Sequence, residues 1–73
     1  MLLNAIIEKD DHGYFAFVPE LKGCVTQGNT YEEVLANIKE AAGLYMESLE
    51  NEEIAFIQSK STMIAPIEVL AHG

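Results

Sequence analysis

Cys24 is the one cysteine of the chain, and His12 and His72 are its two imidazoles. A nucleophilic thiolate needs a base beside it and an electropositive setting. One histidine falls in a polar turn and the other lies next to the last residue. Cys24 is therefore expected to be a buried, inert strand residue, and an internal disulfide is impossible. Glu8, Asp10, Asp11 and His12 are ligand-type residues in a short run, but no C-x-x-C, H-x-x-x-H or EF-hand spacing accompanies them. The run reads as a solvated hairpin loop. Gly23 and Gly28 lack the following Lys of a phosphate loop and have acidic neighbours. No cofactor is implied.

Charge narrows the partners. Twelve Asp and Glu stand against four Lys, with no Arg, for a net charge of −8. Phosphate backbones are bound by cations that release counterions, so direct nucleic-acid binding is not expected. A basic protein partner suits this field, although excess charge also serves solubility. Neither a basic-then-apolar leader nor an 18-residue apolar run is present, and a soluble cytoplasmic protein without membrane contact is expected.

Seventy-three residues make one domain, and 49% of them are hydrophobic. So small a domain buries about 60% of its unfolded surface. Some apolar surface is therefore expected to meet another chain.

The elements that position these residues can be read in order. Residues 2–8 read as a strand, with Leu3, Ala5 and Ile7 on one face and Leu2, Asn4 and Ile6 on the other. KDDHG is hairpin-loop chemistry. Residues 14–18 return as a strand with Tyr14, Ala16 and Val18 on one face and Phe15 and Phe17 on the other. Pro19 ends it, Gly23 permits a positive-φ turn, and residues 24–27 form a short third strand. Thr30 with Glu33 is a capping box. Tyr31, Val34, Leu35, Ile38, Ala42, Tyr45 and Leu49 then recur at helical spacing, predicting a helix over 31–50. Residues 51–62 are ambiguous between loop and frayed helix. MIAPIEVLA reads as a final strand, and Pro66 either puts it at an edge or delays its start to Ile67.

The expected fold is α+β, in the order β-β-β-α-β: an antiparallel meander, one crossover helix, and a fourth strand beside the first. That order is similar to the ribonuclease H core, which raises a two-metal nuclease. Such a site needs carboxylates converging from strand one, the helix and strand four. Strand one offers Glu8 at its end, and Glu68 is isolated. Glu33, Glu40 and Glu47 lie opposite the apolar stripe and face solvent. An enzyme is not expected, and a weak metal-dependent nuclease remains the remote alternative.

GYFAFVPELKGCVTQGNTYEEVLANIKEAAGLYME resembles the N-terminal domain of HicB-type antitoxins. The resemblance rests on Pro19, Glu20, Leu21, Gly23, Cys24, Gly28, Thr30, Glu33, Asn37 and Ala41 at fixed spacing. Lys22 stands where the family usually has Pro, and Val34 where Ala is common. The resemblance implies a degenerate ribonuclease H-like fold without catalytic acids. It also implies an antitoxin that neutralises a small basic ribonuclease, a HicA-like toxin, by masking its RNA-binding surface. Many HicB proteins continue into a DNA-binding domain; residues 1–73 are expected to be a single stand-alone domain. An oligomerising module without a toxin is the alternative function.

Only one helix is long enough to cover the sheet, so Phe15 and Phe17 are expected on an open face. A homodimer or higher even oligomer follows as an expectation. The candidate surface for a partner or a second copy is Phe15, Phe17, Glu33, Glu40 and Glu47; no catalytic or metal-binding residue is assigned.

Overall fold

The structure is a computed structural model that describes residues 1–72. Three strands form one antiparallel sheet: β1 (Ile6–Asp10), β2 (Gly13–Phe17) and β3 (Val25–Gly28), in the order β1-β2-β3. Two helices follow, α1 (Tyr31–Glu47) and α2 (Asn51–Ser59).

The β1-β2 hairpin closes with Asp10 opposite Gly13, and the Asp10 side chain accepts the His12 N–H at 2.8 Å. Gly13 takes φ 128°, which a side chain would resist. β1 is shorter than the sequence pattern suggests. Continuing its register places Asn4 opposite Pro19, which has no N–H to exchange. The Glu20 carboxylate instead accepts from the Asn4 backbone and side-chain nitrogens, at 3.2 Å and 2.8 Å for the nearer oxygen.

Between β2 and β3 the chain makes a tight turn. Val18 N–H donates to Cys24 carbonyl at 3.1 Å, Leu21 N–H to Val18 carbonyl and Cys24 N–H to Leu21 carbonyl, each at 3.0 Å. Gly23 has φ 82°, the positive value expected of it. From α1 the Tyr45 hydroxyl donates to the Lys22 carbonyl at 2.9 Å and pins the turn to the helix.

Helix α1 starts as its sequence dictates. Thr30 is extended, and its Oγ1 accepts the Glu33 N–H at 3.1 Å. The Glu33 carboxylate reaches back to the Asn29 N–H at 3.3 Å. Thr30→Ala is expected to cost about 1 kcal/mol through loss of this cap. An unmoved urea midpoint would contradict that. The helix stops at Glu47, short of residue 50, because Ser48 caps it: its N–H and its Oγ both donate to the Tyr45 carbonyl. Gly28 allows α1 to sit directly on β3, since a Cβ there would lie 2.8 Å from the Val34 nitrogen.

The core lies between the sheet and the helices: Ala16, Val18, Leu21, Cys24, Val34, Ile38 and Ile57. Ala16 and Val18 fall on the helix-covered face, with Tyr14 packed beside them, as the alternation predicts. Leu35, Ala42, Tyr45 and Leu49 pack around α1's buried residues, but Tyr31 is exposed. It stands in the first turn, outboard of the sheet.

One ambiguity is resolved and one expectation is corrected. Residues 51–59 form a helix, α2, stabilised at its start by the Glu53 carboxylate accepting the Glu50 N–H at 3.0 Å. Its Ile57 enters the core. The fourth strand is absent: residues 60–72 belong to no strand or helix. With α2 inserted, the helical region does not lead straight back to the sheet, and the β-β-β-α-β order becomes β-β-β-α-α.

Cys24 is buried. Burial pushes its thiol above the ordinary value of 9.0, because the thiolate loses water. Labelling of the native protein by a thiol reagent is expected to be far slower than of the urea-unfolded chain; equal rates would contradict the burial. The folded chain holds this proton more tightly than the unfolded one. The stabilisation is complete below the unfolded value and is lost as pH rises through the folded one, hence above about pH 9.

Candidate partner-binding surface

The sheet has one bare face. Cross-strand register brings Ile6 opposite Phe17, Glu8 opposite Phe15, Phe17 opposite Val25 and Phe15 opposite Gln27. These side chains share the face turned away from α1, because their neighbours Ile7, Ala16 and Val18 turn toward it. Phe15 and Val25 are 41% and 52% exposed, and Ile6 and Phe17 are half-buried. The Phe15 and Phe17 rings lean on each other, centroids 6.1 Å apart and planes at 40°. Ile6 and Val25 join this patch through register, which the sequence alone does not supply.

Glu33, Glu40 and Glu47 are all exposed along α1. Spaced by seven residues, they form one stripe about 21 Å long. Among the described residues the one ion contact is His12 to Asp10, at 3.9 Å, so none of these carboxylates is paired with a cation. Glu33 and Phe15 border one open groove of about 790 Å³ with Glu8, Asp10, Tyr14 and Asn29. Glu40 and Glu47 do not reach it. The candidate surface thus divides in two, an apolar face under the sheet and an acidic stripe on the far side of α1, meeting only near Glu33.

Among the described residues, no three His, Cys, Asp or Glu side chains come close enough to share a metal ion. Glu68 lies on the unpaired tail, outside the sheet. No helix among them is long and apolar enough to cross a membrane.

The sequence profile of the HicB-like antitoxins of bacterial toxin–antitoxin systems matches residues 3–69. The chain belongs to the HicB-like antitoxin family. The HicB-like match spans the sheet, both helices and most of the tail, so the tail belongs to the family's domain. The chain is 64% identical to a UPF0150 protein of Helicobacter pylori, over 94% of this chain and 96% of that protein. It is 44% identical to a UPF0150 protein of Synechocystis, over 92% and 85% of the two chains. An uncharacterised 14.9 kDa protein of Haemophilus phage HP1 is 41% identical over 73% of this chain, which covers 41% of the phage protein. No solved structure matches the HicB-like chain.

Proposed function

We propose that this chain is a non-enzymatic antitoxin that neutralises a small basic ribonuclease, a HicA-like toxin, by covering its RNA-binding surface in the cytoplasm. Family membership over residues 3–69 is the observation that carries this reading. The unpaired stripe Glu33, Glu40 and Glu47 supports it, because a surface that binds RNA must present cations that a carboxylate row can satisfy instead. Steering by a −8 chain would speed the encounter at low salt. A degenerate ribonuclease H-like reading of the fold keeps only the β-β-β-α start, since the fourth strand that it requires is absent among the described residues.

A second reading is an oligomerising interaction module with no toxin. The exposed patch of Ile6, Phe15, Phe17 and Val25 favours it. Co-expression with a small basic reading frame beside this one separates the two. The antitoxin reading expects a complex that survives purification and dissociates at high salt. Elution of this chain alone, with a basic neighbour expressed and soluble, would contradict it.

A further inference from the structure

The tail is the part of the chain left without a partner. It leaves α2 extended, with Lys60 at φ −90° and ψ 150°. Met63, Ile67 and Leu70 are 82%, 81% and 91% exposed. The radius of gyration is 14.5 Å, against about 11 Å for a compact chain of this length. An extended apolar segment of this kind is suited to adding to an open sheet edge.

Backbone phase shows which edge is open. The Val18-to-Cys24 bond continues the β2-β3 register and marks even-numbered β2 residues as bonded to β3. Val25 and Gln27 therefore point their backbone groups outward from β3, and Asn37 already donates its Nδ2 to the Gln27 carbonyl at 3.0 Å. That edge is short and partly capped. On β1, residues 6, 8 and 10 bond to β2, which leaves the N–H and C=O groups of Ile7 and Lys9 pointing outward. Ala5 continues that phase.

Pro66 sets the phase of the tail. Lacking an N–H, it must turn its nitrogen away from the edge, so Ala65, Ile67 and Val69 are the residues that bond. In an antiparallel pair, bonded residues share a face. Met63, Ala65, Ile67 and Val69, all apolar, would then lie on the helix-covered face beside Ile7, and Glu68 would face outward. In a parallel pair the assignment reverses and Glu68 would be driven toward the core. The tail's own root stands beside the start of β1: Lys60, Gln58 and Ile57 line one cleft with Met1, Leu2 and Leu3. Folding back within the same chain would therefore run parallel to β1. A second copy has no such restriction.

We propose that residues 63–70 of one copy add as an antiparallel strand to the free edge of β1 in a second copy, reciprocally about a two-fold axis. Charge distribution fits. Residues 1–59 hold eleven acids and three Lys, whereas the tail holds one Glu and one Lys, so the whole −8 lies in the bodies. A neutral arm reaches across while the bodies repel, and added salt strengthens the dimer. The inference stands independently of the toxin reading.

Sedimentation equilibrium of the full chain tests it, alongside Ile67→Asp and Lys9→Pro. Ile67→Asp removes apolar burial from the arm. Lys9→Pro removes an outward N–H and leaves the β1-β2 bonds intact. Each is expected to weaken the dimer by roughly ten- to a hundredfold while keeping the helical circular dichroism. In the unmodified protein, the Ile7 and Lys9 amides are expected to gain protection from hydrogen exchange as concentration rises. A monomer at every concentration overturns the proposal. So does a dimer that resists either variant, or one in which these amides exchange freely.

Discussion

Ile38→Ala is expected to lower stability by about 3 kcal/mol. Ile38 is 1% exposed and lies on α1's buried face, in one core cluster with Ala16, Val18, Leu21, Val34 and Ile57. Truncation there removes transfer energy and leaves a cavity that short, pinned strands cannot close. A 73-residue domain has roughly 4–11 kcal/mol of stability in total, so the variant forfeits a large share. In a domain of this size the melting temperature should fall by more than about 10 °C. Thermal unfolding followed by circular dichroism measures it. A fall of two or three degrees would mean that α1 does not bury this face.

If the proposed antitoxin role holds, reversing the stripe, with Glu33→Lys, Glu40→Lys and Glu47→Lys together, is expected to weaken binding of the proposed toxin roughly a hundredfold, about 1 kcal/mol at each site. Each reversal changes the net charge by two, from −8 to −2 in all. All three side chains are exposed. Glu40 and Glu47 take no part in the helix caps, so the fold should tolerate their change. Glu33 also reaches the Asn29 N–H, and a Glu40→Lys, Glu47→Lys double variant separates binding from capping. Calorimetric titration against the purified toxin reads the effect, and its salt dependence should flatten in the variant. Undiminished affinity would move the interface to the apolar sheet face.

The sequence made the strand-turn-strand-helix unit legible because its signals are local. Pro19, Gly23, Gly28 and the Thr30–Glu33 cap each act through backbone geometry within a few residues. The alternation in residues 14–18 correctly assigned Ala16 and Val18 to the covered face and Phe15 to the bare one. What it could not show was register. The meeting of Ile6 with Phe17 and of Phe17 with Val25 depends on pairing across turns. The tail was misread for a related reason. MIAPIEVLA has strand composition, but composition does not say which edge, or whose, it joins. Residues 51–59 looked ambiguous because Ile54 and Ile57 supply the apolar side at only two of the nine positions that turn inward. Of the candidate surface, the exposure of Phe15, Glu33, Glu40 and Glu47 was legible but the half-burial of Phe17 was not, and the division into two opposite faces required the layers.

The antitoxin reading is tested most directly by RNA cleavage. A candidate HicA-like toxin, such as a small basic protein from a neighbouring reading frame, would be assayed on a defined RNA while this chain is titrated in. The account predicts that cleavage falls linearly with added protein and stops at a fixed stoichiometry. Cleavage that continues unchanged with this chain in molar excess would contradict it.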